Sequence, residues 1–387
     1  MLPYVAPKLT ALWGPFRLFE SYLVLIGLGT LLAAFLSWWL LPRFFRRLPR
    51  DQGKPFVKEG EEAKGKPTGA GVVFTVVFLV VLALVLPSSL QLWELAACLF
   101  LVMLAGLGDD CSTHHWGELL KGSLDLVVAF LASLALCQGE AVTLWWPLVK
   151  GAAADGSFVV PVWVYVPMAT VLLWWTINAT NCTDGVDGLA GSLTLLSLFF
   201  LGAFLYGIIG HVEVARYLLL PHRADGARWG ILIFTAAGGL AGYVWHNAKP
   251  SAVLMGDAGS RFLGLLVGMA VLASGNPFMV LVVSPVVLLN GGTGLVKVLL
   301  LRGFGRLGFD VRPPARNIVN ASTQHAASEA DEARQAMVVR FLHRYRFPLH
   351  DHCRKRLNWS DPQVLVRFML IQALLTPVLM GLLVKLR

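Results

Sequence analysis

Four groups of polar residues interrupt an otherwise apolar chain, and each lies at the end of an apolar run. Gly106-Leu107-Gly108-Asp109-Asp110 closes one run. Asn178-Ala179-Thr180-Asn181-Cys182-Thr183-Asp184-Gly185-Val186-Asp187-Gly188 separates two others. Asn247-Ala248-Lys249-Pro250 leads into Met255-Gly256-Asp257-Ala258-Gly259-Ser260, and His350-Asp351-His352 precedes the last run. Ionisable groups at the margin of a hydrocarbon layer are costly and are usually paired or functional. On a helix, Asp109 and Asp110 point about 100° apart, so one can face a metal while the other faces a second ligand. Asp184 and Asp187 share a face if helical; with Gly185 and Gly188 they equally suit a tight turn opening the next helix. Asn178 and Asn181 offer amide groups suited to a base or ribose edge. The glycines around Asp257 let the backbone approach a phosphate closely. His350 and His352 stand two apart and do not share a helix face, which predicts a loop or extended segment. No further soft ligands accompany them to complete a zinc site. Taken singly, each group is as well explained by helix caps, ordinary loops or surface histidines. Taken together they suit magnesium-assisted phosphoryl transfer: carboxylates hold a hard cation that neutralises phosphate charge, and Lys and His donors steady a diphosphate.

The elements that must position these groups are membrane spans. The chain has 387 residues, 56% of them hydrophobic and 14% charged, against roughly 25% charged in soluble domains. About 20 predominantly apolar residues cross the hydrocarbon as a helix. Nine or ten such segments can be marked, near 21–41, 69–87, 91–107, 122–138, 161–178, 188–209, 229–246, 261–274, 277–300 and 364–384. Gly275-Asn276-Pro277 reads as either a turn or a kink. The expected fold is therefore all-α, a single polytopic domain over 1–387 with about ten transmembrane helices. The segment 139–160 is expected to form a small hairpin. The stretch 322–346 reads as an amphipathic surface helix or a partly disordered loop. The first twenty residues lack a basic start followed by an apolar core and a cleavage site, so the first span is expected to be the targeting element.

Basic residues sort by side. With ten spans, the loops near 42–68, 108–121, 178–187, 247–260 and 302–363, with Arg261 at the edge of the fourth, carry twenty-two Lys and Arg, and the opposite side with both termini carries eight. The positive-inside rule then puts those loops, and all four polar groups, in the cytoplasm, with both termini outside. The net charge of +9 reads as topology and anionic-lipid contact rather than nucleic-acid binding. Five scattered cysteines show no Cys-x-x-Cys spacing and suggest neither a zinc site nor a disulfide framework.

At these residues the sequence resembles the polyprenyl-phosphate N-acetylhexosamine-1-phosphate transferase superfamily, and within it the muramoyl-pentapeptide branch. Asn181-x-Thr-Asp184-Gly-x-Asp187-Gly-Leu-Ala190 and Asn247-Ala-x-Pro250 followed by Met255-Gly-Asp257-x-Gly-Ser260 are the specific motifs, and Gly108-Asp109-Asp110 supports them. Pro348-Leu-His350-Asp-His352, Trp359 and Val366-Arg367-Phe368 resemble the histidine motif and last span of that branch. The resemblance implies an active site on the cytoplasmic face of a bacterial inner membrane. It implies Mg²⁺ as cofactor, UDP-N-acetylmuramoyl-pentapeptide as donor, undecaprenyl phosphate as acceptor, and a homodimer among membrane lipids. It also implies catalytic roles for Asp109, Asp110, Asp257 and His350, with Asp257 as the Mg²⁺ ligand. Substrate binding would fall to Asn178, Asn181, Asp184, Asp187, Asn247, Met255, Gly256, Ser260 and His352. The lysine usual just before Pro67-Thr68-Gly69-Ala70-Gly71 is displaced, and Lys64 or Lys66 takes its place. Asp351 interrupts the histidine run, Cys353-Arg354 replaces Phe-Glu, no glutamine stands around Gly292-Thr293, and the segment between Arg302 and Phe347 is long. These departures bear on donor recognition, and the alternative is a UDP-GlcNAc-type transferase for another surface glycan. A secondary transporter is disfavoured, because its acids would sit near the midplane, often at repeat interfaces.

Overall fold

The computed structural model describes residues 1–52, 64–87, 89–112, 116–153, 156–313 and 335–386. The parts of the basic loops at 53–63, 113–115 and 314–334 lie outside the described residues, and with them most of the expected surface helix at 322–346. A short helix α1 (Leu2–Thr10) precedes the first span. The spans are α2 (Tyr22–Phe44), α3 (Gly71–Val85), α4 (Leu90–Asp110), α5 (Glu118–Cys137), α6 (Val162–Thr183) and α7 (Leu189–Ala203, continued by a π-turn to Ile209). After the short α8 (Val212–Tyr217) come α9 (Gly226–Asn247), α10 (Gly256–Ala273) and α11 (Met279–Val283). The chain ends through α12 (Pro285–Arg306), α13 (Met337–Arg344), α14 (Leu349–Arg356) and α15 (Asp361–Lys385). Among the described residues, nine helices are long and apolar enough to cross a membrane. The polytopic all-α expectation holds.

The tenth apolar segment, α3, is a 15-residue helix, about 22 Å long at 1.5 Å per residue and shorter than a hydrocarbon core of about 30 Å. It is shorter than the 69–87 expected because Gly69 adopts a left-handed φ of +75° and Leu86-Pro87 leaves the helix. Conversely α10 starts at Gly256, five residues before the expected 261. Gly275-Asn276-Pro277 is a turn: Gly275 has φ +74° and the Asn276 side chain accepts from the Phe278 amide at 2.9 Å. The following span is broken at Ser284-Pro285 and again by a π-turn over Leu288–Gly292. The hairpin exists as β1 (Val142–Leu144) paired antiparallel with β2 (Phe158–Val160). It docks on the turn after α10, with the Trp145 indole donating to the Ser274 carbonyl at 3.0 Å. Elsewhere local sequence sets the helix ends. Ser89 caps α4 by accepting from the Leu92 amide, and Ser360 with Gln363 forms a capping box on α15.

Because successive spans reverse direction, the C-terminal ends of α4, α6 and α9 and the N-terminal ends of α5, α7, α10 and α15 all come to one end of the bundle. Those are the ends that carry Asp109, Asp184, Asn247, Lys121, Asp257 and Asp361. The centre is α10, whose membrane window is the most buried of the spans. It admits its neighbours through glycine. A β-carbon on Gly71 would lie 2.1 Å from the Gly259 amide nitrogen, and one on Gly106 would lie 2.4 Å from the Asp257 carbonyl oxygen. Small residues let helix backbones touch in this way inside a membrane. Gly71→Ala must therefore push α3 away from α10 against backbone, which does not yield. It is expected to cost about 1–3 kcal/mol by overpacking, read as a lower thermal unfolding midpoint of the purified protein. Gly27→Ala on α2, which meets nothing within 4 Å, is the matched control.

Candidate active site

Asp110 ends α4, and its carboxylate receives the first turn of α10. Its Oδ1 accepts from the Asp257 amide at 2.9 Å and its Oδ2 from the Ala258 amide at 3.1 Å. The first four amides of a helix have no partner within it, so Asp110 serves as a cap supplied by another helix, which is why α10 begins early. The approach needs Gly256, whose φ is +72° and whose β-carbon would lie 2.3 Å from Asp110 Oδ2. Asp109, one residue earlier and buried, points elsewhere: it accepts from the Trp116 amide at 2.8 Å and pairs with Lys121 of α5.

Asp257 collects the network. Its Oδ1 accepts from Asn181 Nδ2 at 2.9 Å, and its Oδ2 faces Lys121 Nζ at 3.2 Å and Arg261 Nη2 at 3.1 Å. Asn181 Nδ2 also lies 2.9 Å from Ser260 Oγ, which donates to the Gly256 carbonyl. Arg261 turns its other nitrogen to Asp125 Oδ1 at 2.8 Å, both residues being buried. Asp109, Asp110, Asn181, Asp257 and Ser260, chosen from three separated stretches of sequence, thus form one connected cluster with Gly256 inside it.

A second group borders it. Helix α6 ends at Thr183, and the turn through Asp184-Gly185-Val186-Asp187-Gly188 opens α7. This decides for the turn over the shared helix face. Asp187 Oδ2 lies 4.0 Å from Lys66 Nζ, which also donates to Ser251 Oγ at 3.1 Å. Lys66, rather than the exposed Lys64, is the lysine that reaches this turn. Asn247 is buried, and both halves of its amide serve the backbone: Oδ1 accepts from the Gly188 amide at 2.7 Å and Nδ2 donates to the Val253 carbonyl at 2.8 Å. Met255 is buried, and its carbonyl accepts from Gly71. Asn178 bonds back to the Trp174 carbonyl of its own helix at 2.9 Å.

The histidines lie on helix α14 and not on a loop, which corrects the expectation: Pro348 sets the chain direction at the N-cap and an eight-residue helix follows. Two residues apart, they do face different ways. The His350 ring is aimed at Gly185, where a β-carbon would lie 2.4 Å from its Nε2. Asn290 Oδ1 accepts from the His350 amide at 2.8 Å and from His350 Nδ1 at 3.1 Å. Asn290 thereby sets the proton on Nδ1 and turns Nε2 to the aspartate turn. His352 points away from the acids, accepting from the Arg346 amide at 3.3 Å beside Tyr345. Burial first, then Arg356 and Arg346, hold its pKa below the usual histidine value. Helix α14 is tied down through Asp361, which takes Arg354 Nε at 2.7 Å and also pairs with Lys249.

The cluster fits a hard divalent cation. Among the described residues no three Asp, Glu, His or Cys side chains make a protein-only cage. Mg²⁺ does not require one, since it takes one or two carboxylates and completes its shell with water and substrate phosphate. The ammonium of Lys121, held between Asp109 and Asp257, is a cation already resting between two hard oxygens. A cavity of about 310 Å³ lined by Gln91, Tyr165, Arg223 and Trp229 shares no residue with the cluster and lies at the opposite ends of α4 and α9.

Four participants were not singled out as site residues in the sequence: Lys121, Asp125, Arg261 and Asn290. The available signal was the one that marked the aspartates, a polar side chain inside or at the edge of an apolar run.

A family model described as glycosyl transferase family 4 matches residues 92–275, the stretch that holds the carboxylate cluster but not helix α14. Similarity to whole proteins extends further. The chain is 44% identical to the phospho-N-acetylmuramoyl-pentapeptide-transferase of Treponema pallidum (strain Nichols), over 97% of this chain and 94% of that protein. It is 28% identical to the enzyme of that name from Helicobacter pylori (strain Shi470), over 94% and 95%. With that of Campylobacter lari the identity is 27%, over 96% and 97%.

The turn before α7 depends on Asn247. Asn247→Ala strips partners from two buried backbone groups and is expected to cost about 2–4 kcal/mol, seen as a lower thermal midpoint. Asn178→Ala, which strips no partner from the backbone of that turn, should cost less.

Proposed function

The chain belongs to the phospho-N-acetylmuramoyl-pentapeptide-transferase family, and from that membership we propose that it transfers phospho-N-acetylmuramoyl-pentapeptide from its UDP donor to undecaprenyl phosphate. The products are UMP and the first lipid intermediate of peptidoglycan synthesis. The observation that carries this reading is the convergence of Asp109, Asp110, Asn181 and Asp257 at one end of a bundle of membrane-length helices. A lipid phosphate and a water-soluble nucleotide sugar can meet only where hydrocarbon gives way to water. The basic loops share that end of the bundle, which supports a cytoplasmic active site in an inner membrane with both termini outside. A homodimer among membrane lipids is part of the same proposal.

Mg²⁺ would be held chiefly by Asp257 with Asp109 across from it, and when bound it supplies charge neutralisation to the phosphates. The protein's own groups do the positioning. Asn181 fixes one oxygen of Asp257, and Lys121, paired with Asp109 and Asp257, places a positive charge on a flexible stem within reach of incoming phosphate. The turn Asp184–Gly188, with Lys66 on Asp187, is the proposed nucleotide side. Because His350 spends its Nδ1 proton on Asn290, it can donate to a donor diphosphate from Nε2 only when doubly protonated, a form the anionic ligand itself favours.

The test is UMP release by purified protein given UDP-N-acetylmuramoyl-pentapeptide or UDP-GlcNAc, with and without undecaprenyl phosphate. Release is expected with the muramoyl donor, the lipid and Mg²⁺ together, and its abolition by chelation. Asp257→Asn should reduce it at least about a hundredfold, as removal of one charge-stabilising group does in comparable sites. Release with UDP-GlcNAc instead would reassign the donor.

Asp110 gives a pH test. The acceptor's second pKa is about 6, so about nine-tenths of it is already dianionic at pH 7, and proton removal alone offers little. Asp110→Asn removes an acceptor from the first turn of α10 and displaces Asp257. Turnover is expected to fall well beyond about tenfold at pH 7 and to stay low at pH 9. Recovery at pH 9 would show that Asp110 acts mainly as a base.

A further inference from the structure

Two charged residues of this network are buried and pair with each other. Arg261, one turn after Asp257 on α10, is 3% exposed, and Asp125 on α5 is 0% exposed. Arg261 Nη1 donates to Asp125 Oδ1 at 2.8 Å and Nη2 to Asp257 Oδ2 at 3.1 Å. The Asp125–Arg261 pair is joined by one hydrogen bond and is incompletely satisfied: among the described residues, Arg261 Nε has no hydrogen-bond partner. A buried ion pair with unfilled valences is a poor source of stability, and apolar residues in its place are often neutral or stabilising. Stability therefore does not account for it. What the pair does have is a position: it ends on the carboxylate that the proposed reaction needs for its metal.

We infer that Arg261 and Asp125 are positioning residues for Asp257. Arg261 fixes the orientation of the Asp257 carboxylate, and Asp125 cancels the guanidinium charge so that the site can still accept a divalent cation. The formal count supports it. Asp109, Asp110, Asp125 and Asp257 stand against Lys121 and Arg261, leaving minus two, the charge that one Mg²⁺ neutralises. Without Asp125, Arg261 keeps only Asp257 as partner, in surroundings that screen little. The guanidinium then competes directly with the metal for that oxygen. The inference rests on the metal role of Asp257 and not on the identity of the sugar donor.

The experiment is Mn²⁺ binding to the purified full-length protein, followed by loss of the free-ion EPR signal, beside the Mg²⁺ dependence of UMP release. Asp125→Asn is expected to weaken Mn²⁺ binding at least about tenfold, the effect of one unit charge a few ångströms away in a poorly screened site. The Mg²⁺ concentration for half-maximal release should rise by a similar factor. Arg261→Leu should bind Mn²⁺ no more weakly than the parent while turnover falls, because the competing cation is gone but the carboxylate is no longer held. The double variant Asp125→Asn/Arg261→Leu should return Mn²⁺ affinity to within about threefold of the parent, since the two charges are coupled. A merely structural pair predicts instead that all three variants weaken the metal, and that outcome overturns the inference. So does unchanged affinity in Asp125→Asn, or a parent that binds no Mn²⁺. If Asp125→Asn does not fold, Arg261→Leu and the double variant decide the matter on the same criterion. A parent that binds Mn²⁺ yet releases no UMP from the muramoyl donor would defeat the functional proposal and leave this comparison standing.

Discussion

The contact on which the site depends is the capture of the first turn of α10 by the carboxylate of Asp110. It joins the C-terminal end of one span to the N-terminal end of another, whose first amides would otherwise be left unpaired at the edge of the hydrocarbon. Once α10 is held there, Asp257 and Arg261 fall on its inward face and Ser260 meets Asn181. Glycine is demanded wherever this junction is tight. Gly106 lets α4 touch the backbone at Asp257, Gly71 lets α3 touch Gly259, and Gly256 supplies the left-handed turn beside the carboxylate. The motif glycines around Asp257 thus serve helix packing first, and the close backbone they produce is what surrounds the carboxylates.

The charges follow from that geometry. Three aspartates drawn together in a poorly screened region repel strongly, and the fold answers with Lys121 and Arg261. The two cations differ in kind. Lys121 is a half-buried ammonium on a flexible stem, suited to moving when an anion or a metal arrives, whereas Arg261 is fixed between two carboxylates by its planar fork. The proposed binding of a cation and phosphates at this site would be well served by one positive charge on a flexible stem and one held rigidly.

The histidine helix is held from outside the cluster. Asp361 at the start of α15 takes Arg354 and Lys249 together, and Asn290, in the π-turn of α12, takes the His350 amide and ring. The π-turn matters here because it widens the helix at the point where Asn290 must face α14. Arg354, on helix α14 beside the histidines, is thus one of the residues that fix that helix.

Sequence alone determined the all-α polytopic architecture and the ends of the spans that carry polar residues, among them Asp109, Asp110, Asn181 and Asp257, which the structure gathers into one cluster. The physical reason is that hydrocarbon excludes charge. Long apolar runs declare themselves, and aspartates at their ends stand out against them. Tertiary structure alone decided what each polar group touches. Asn247 reads as a substrate amide and proves to hold the backbone of the Gly188 turn; Met255 is packed inside; His352 turns away from the acids while His350 turns toward them. Lys121, Asp125, Arg261 and Asn290 became visible only when α5, α10 and α12 were packed. A single charge in a span announces a cost, but its partner lies on another helix, at a distance along the chain that periodicity does not encode.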